Sequence, residues 1–211
     1  MVNSQRCTNF VTQIKFKVKK QNTYMTEKQT VFLAIVNRFL EIWRGTQDVQ
    51  EQGNARQHFT RVKIMKLFYF FCMLDEQAEI RNSNLFGHFV AYPFGPVNEE
   101  AYEFLKSEIG NCLFEAMCRN EKVDLPLLTP EIENIIDNIL QSPQIGENGM
   151  EIHVWNNLIK MPVDELVELS HQTTAWREAY LYSSEHDMNV EDNLAEDKRL
   201  ILKILSNWGT T

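Results

Sequence analysis

Leu67-Phe68-Tyr69-Phe70-Phe71-Cys72-Met73-Leu74 is apolar on nearly every side of a helix, and a helix with no wet face belongs at the centre of a core. The pattern begins earlier, with Phe59, Val62 and Met65 at helical spacing, and Lys63 and Lys66 interrupt it three residues apart on one side. Cys72 inside such a run reads as a small buried hydrophobe. The prediction is one central helix wrapped by amphipathic partners.

Those partners are legible on both sides. Upstream, Thr26 with Gln29 resembles a capping box, and Phe32, Ile35, Val36, Phe39, Leu40 and Trp43 recur at helical spacing until Arg44-Gly45. Residues 46–57 are polar and read as an exposed connection. Downstream, Asn82-Ser83-Asn84 marks a turn, and Leu85 to Tyr92 fits a short strand or extended segment.

Tyr92-Pro93-Phe94-Gly95-Pro96-Val97 follows as a rigid loop. Its two prolines fix φ and restrict the residue before each, and Gly95 is free to take φ > 0. Asn98, with Glu99 and Glu100 behind it, is a helix start. Ala101, Tyr102, Leu105 and Ile109 then line one face of a helix expected to stop near Gly110, with a short turn over Leu113–Met117. Thr129-Pro130-Glu131 opens another helix through Ile132, Ile135, Ile136, Ile139 and Leu140. Ile152–Ile159 fits strand or helix. Pro162 opens a helix reaching His171, Ala175–Tyr180 continues as a short helical piece, 183–193 reads as an acidic loop, and a last helix runs to Gly209. The sum is a mainly α, compact helical domain of about six to eight helices with a short N-terminal β-strand or arm. The division predicted is an arm and helix over 1–55, packed on a helical domain over 56–211.

The bulk numbers are those of an ordinary globular chain: 211 residues, 44% hydrophobic, 24% charged, net charge −8. Charge is uneven. Arg6, Lys15, Lys17, Lys19 and Lys20 give the first twenty residues +5 with no acid, so the rest carries −13. That arm alternates from Phe10, with Thr12, Ile14, Phe16 and Val18 opposite its lysines, as a strand with one basic face would. The acidic body disfavours broad contact with nucleic acid phosphate and suits a basic protein partner. A DNA-binding autoregulator would have only the basic arm to draw on.

Cysteines at 7, 72, 112 and 118 make no Cys-x-x-Cys pair, and histidines at 58, 88, 153, 171 and 186 make no i, i+4 pair. No metal and no cofactor is called for. No apolar stretch is long enough to span a bilayer and no secretory block opens the chain, so a cytoplasmic protein without a membrane partner is expected. There is no Gly-rich phosphate loop and no Gly-x-Ser-x-Gly elbow, and the candidate acids, bases and nucleophiles are scattered. An enzyme is not expected.

Three pieces occur in a telling order: Lys66-Leu67-Phe68-Tyr69, then Ala91-Tyr92-Pro93-Phe94-Gly95-Pro96-Val97 before a helix containing Tyr102, then Leu169-Ser170-His171 with Trp176-Arg177. Together they resemble the Panacea domain, the SocA-like antitoxin domain, over roughly residues 59–180. Ser170 stands where threonine is usual in that family, and Gln172 where an acid is common.

The resemblance implies a prokaryotic or phage antitoxin that neutralises a cognate protein toxin, basic if it matches the acidic body, by direct contact. The alternative it implies is an adaptor that hands the toxin to a protease. It also implies that Lys66, Tyr69, Tyr92, Gly95, Pro96, Val97, Tyr102, His171 and Trp176 converge on one groove or on the scaffold beneath it. Phe94 and Arg177 complete the set of candidates. Two readings without a ligand stand beside it: Trp176 as a core aromatic whose indole N–H finds one partner, and His171 as a histidine at the negative end of a helix.

Overall fold

The apolar run does occupy the centre. In a computed structural model describing residues 25–46, 55–75, 77–81, 86–145, 149 and 151–208, the helix Arg61–Leu74 (α3) is buried at every position from Lys63 to Leu74. Thr60 caps it by accepting from the Lys63 N–H at 3.1 Å. Before it come Glu27–Thr46 (α1) and the single turn Ala55–His58 (α2). After it come the strands Val90–Tyr92 (β1) and Gly95–Val97 (β2), then the helices Glu99–Lys106 (α4), Glu108–Cys118 (α5) and Pro130–Gln141 (α6). A second small pair of strands, Gln144–Ile145 (β3) and Glu151–Ile152 (β4), precedes Val154–Lys160 (α7), Val163–His171 (α8), Thr174–Tyr182 (α9) and Val190–Asn207 (α10). Around α3 pack α1, α4, α6, α8, α10 and β2. The result is a compact, mainly helical domain with one main core.

The described residues form ten helices, more than the six to eight expected, because α2, α5 and α7 fall where the sequence reads as a connection, a short turn and an ambiguous stretch. Gly110 does not end a helix. Ser107 ends α4 and caps α5, its Oγ accepting from the Gly110 N–H at 3.1 Å, and Gly110 lies inside α5 because a Cβ there would collide with the Phe104 carbonyl. Leu113–Met117 is therefore helix rather than a short turn. The polar connection 46–57 runs into the turn α2, with Ala55 buried. The last helix starts at Val190, capped by Asn189, so the acidic loop stops short of 193.

The ambiguous stretch 152–159 is both things in succession, a strand end at Ile152 and then α7. The capping box at Thr26 and Gln29 forms reciprocally, at 3.2 and 3.0 Å. Thr129 caps α6 as its sequence predicts. The basic arm over 10–19, the turn at 82–84, Cys7 and Gly209 lie outside the described residues.

The extended residues ahead of Tyr92 and the loop after it are one unit, a hairpin. Val90 pairs with Val97, Ala91 with Pro96 and Tyr92 with Gly95, leaving Pro93 and Phe94 as the turn. The far side of β1 is also occupied: the Ala91 N–H donates to His186 O at 2.8 Å and the Met188 N–H to Phe89 O at 3.0 Å. The polar 183–189 segment thus serves as a third strand-like edge, and the hairpin is held from both sides.

Candidate protein-binding surface

Lys66 projects from α3 into the underside of the hairpin. It is fully buried, and its Nζ donates to the carbonyl oxygen of Pro96 at 2.5 Å. Burial pushes the amine down to about 7, far below an ordinary lysine. Gly95 sits directly over it at φ +90°, a conformation that side chains resist. A Cβ at 95 would strike Ser170 Oγ and come within 3.0 Å of Lys66 Cε and Nζ. The glycine is thus needed for its backbone angle and for its lack of bulk.

Tyr69, one turn along α3, is also fully buried. Its hydroxyl donates to Thr173 Oγ1 at 3.2 Å, and Thr173 Oγ1 donates to Ser170 O at 2.7 Å. Burial raises the phenol well above its usual range. This chain fixes the turn between α8 and α9, which delivers Trp176. The Trp176 indole N–H donates to Tyr92 O at 3.1 Å, so the hairpin is bonded to α3 through Pro96 and to α9 through Tyr92.

The Trp176 ring lies between His171 (centroids 3.9 Å, planes 19° apart) and Tyr180 (4.7 Å, 13°), and His186 stacks beyond Tyr180 at 5.6 Å. His171, the last residue of α8, has its pKa lowered by burial first and by the Lys66 charge. Glu168 and the Pro93 backbone act in the opposite direction.

The structure sorts the matched residues by exposure. Lys66, Tyr69, Gly95, Pro96 and Trp176 are buried and form the scaffold. Val97, Tyr102 and His171 are half-buried, and Tyr102 carries the Lys106 ammonium 5.1 Å above its ring. Tyr92, Phe94 and Arg177 face solvent. Phe94 at the turn is 68% exposed and Tyr92 42%, with the Tyr92 hydroxyl donating to Glu99 Oε1 at 2.5 Å. Both readings of Trp176 hold part of the truth: it is a core aromatic with one partner for its N–H, and that partner is the candidate loop.

Sequence reading missed two groups. Asp197 on α10 is 1% exposed and accepts from the Thr174 and Ala175 N–H groups at 2.6 and 3.1 Å, capping α9. Its signal was present: 197 falls on the inward stripe with Leu194 and Ile201, where an acid needs a buried partner. The second is the role of Lys63, which the sequence marks only as an interruption of the apolar run: it is 1% exposed, and its Nζ lies 2.7 Å from His58 Nε2 and donates to Met161 O at 2.8 Å, beside the negative end of α7. Burial pushes Lys63 down to about 7 as well.

Chemically, the site is a rigid aromatic tip over closed polar anchors. Lys66 and Tyr69 are both enclosed, so of the matched residues Tyr92, Phe94 and Arg177 are the most open to a substrate or partner. Among the described residues no cluster of three His, Cys, Asp or Glu could hold a metal, and no helix is long and apolar enough to cross a membrane. Comparison with protein-family models, with curated proteins and with solved structures finds no match for this chain.

Proposed function

We propose that this chain is a Panacea-like antitoxin that binds and neutralises a protein toxin through the tip of the β1–β2 hairpin. The observation that carries the reading is the exposure of Phe94 and Tyr92 at the tip of a hairpin whose two strands are bonded to two different helices. Large aromatics at the centre of an interface supply most of its energy, and they do so best when their ordering cost is already met by the fold. The three sequence pieces behind the resemblance meet at this place: α3 supplies Lys66 and Tyr69, the hairpin supplies its tip, and α8 with α9 supplies Ser170, His171 and Trp176. Exposed acids beside the hairpin, among them Glu99 and Glu100, suit a basic partner.

The test is co-expression with the product of the neighbouring gene, following growth and then co-purification. Rescue with a stable complex that is lost in Tyr92→Ala/Phe94→Ala supports neutralisation by contact. Rescue accompanied by protease-dependent disappearance of the toxin supports the adaptor alternative. Full rescue and an intact complex from the folded double variant would sink the hairpin reading.

A further inference from the structure

A second surface begins one helical turn from the hairpin. The Pro93 backbone and Glu168 both act electrostatically on the His171 ring, and Glu168 also lines a groove of about 270 Å³ between α8 and α10. Leu169, Ile204 and Trp208 give the groove an apolar floor, and Asp164, Glu165 and Glu168 stand exposed along the α8 side. Every charged lining residue is an acid. Lys160 and Lys203 neighbour lining positions in sequence but do not line it. Asp164 and Glu165 fall in the first turn of α8, where the helix dipole favours them. Glu168 lies beyond that turn, so the dipole does not account for it. Glu165 accepts from the Trp208 indole N–H at 2.8 Å, which holds the tryptophan at the edge of the floor.

We propose that the groove between α8 and α10 takes a basic segment of the protein partner. Lysine or arginine stems of that segment lie on Leu169, Ile204 and Trp208, and their cations meet Asp164 and Glu168. Long basic side chains are the residues that match both surfaces, because their stems are apolar and only their heads are charged. An acidic partner would be repelled by all three carboxylates, and a purely apolar one would leave them desolvated. This deepens the antitoxin reading, on which it rests, by naming the chemistry of the partner.

The probe is the peptide Leu-Lys-Lys-Leu-Leu-Lys-Lys-Leu, with its glutamate counterpart as control, titrated into the full chain while the indole N–H resonances are followed by NMR. The expected result is a saturable shift of the Trp208 signal with the lysine peptide alone, weakened by added salt. Affinity should fall about five- to tenfold in Asp164→Asn/Glu168→Gln, as for two part-exposed ion pairs. Should the double variant misfold, Glu168→Gln alone is expected to lose about two- to fourfold.

Equal binding by the wild type and the folded variant, or no movement of the Trp208 signal, overturns the proposal. So does a Trp208 signal that the peptide moves only after deletion of residues 1–20, which would make the chain's own basic segment the occupant. Self-association that competes with the peptide would assign the groove to a second copy and likewise overturn it. Failure here leaves the hairpin reading to its own co-expression test.

Discussion

Lys66 and Pro96 lie thirty residues apart in sequence and are joined by a hydrogen bond of 2.5 Å from the lysine amine to the proline carbonyl. The contact ties a helix buried from Lys63 to Leu74 to a turn that exposes Phe94. A primary amine is costly to bury, and here the acceptor is a backbone carbonyl of the hairpin, with no carboxylate ion-paired to it among the described residues. Conformation at the surface is therefore set from inside the core.

Gly95→Ala should be among the most disruptive single changes at the site. The left-handed backbone and the overlap with Ser170 and Lys66 together should cost about 2–4 kcal/mol. Urea unfolding of the two proteins measures this, and a loss under 1 kcal/mol would mean that the hairpin shifts freely off α3.

The two buried lysines predict an unusual pH response. Their amines titrate near 7 in the folded protein and near 10.4 when unfolded, so between those values the unfolded chain binds more protons. Stability should rise as pH increases from about 7 to about 9.5 and fall on acidification, the burial penalty being complete below pH 7. Lys66→Met should flatten part of this slope, since it fills similar space without an ionisable group. An unchanged slope in that variant would show that the amine is not desolvated.

Trp176→Phe keeps most of the stacking surface but removes the donor to Tyr92 O. The carbonyl is left short of a partner, at a cost of about 1–2 kcal/mol. Faster amide exchange at Ala91 and Tyr92 would accompany it if the bond fixes the hairpin to α9, and unchanged exchange would refute that role.

Phe94→Ala should separate binding from folding. At 68% exposure the ring contributes little to the core, so stability should stay within about 0.5 kcal/mol of the parent while toxin binding drops sharply. A large fall in melting temperature would instead make Phe94 a structural residue.

Asp197→Ala removes the acceptor for two N–H groups, one buried and one part-buried, at the start of α9. The expected cost is about 2 kcal/mol, near the upper end for a helix cap because the position is buried. Thermal unfolding checks it, and a loss below 0.5 kcal/mol would show that water replaces the carboxylate.

Most of the secondary structure could be read without coordinates because it rests on local chemistry. The apolar run 67–74 is hydrophobic all round and is the central helix, and the caps at Thr26, Asn98 and Thr129 form where their sequences place them. Gly110 misled because it serves the tight junction at Ser107, where the Phe104 backbone leaves no room for a Cβ, rather than the end of a helix. The hairpin was legible as a rigid turn, but its pairing with residues 186–188, nearly a hundred positions away, was not.

By itself the sequence determined a mainly helical chain with a central apolar helix, an acidic body and a fixed aromatic turn before α4, since periodicity, capping and proline geometry act over a few residues. Only the tertiary structure decided that Lys66, Tyr69 and Trp176 are buried supports while Tyr92, Phe94 and Arg177 face outward. Burial is settled by which elements pack across a side chain, and α3, the hairpin, α8 and α9 meet through hydrogen bonds spanning 30 to 104 residues.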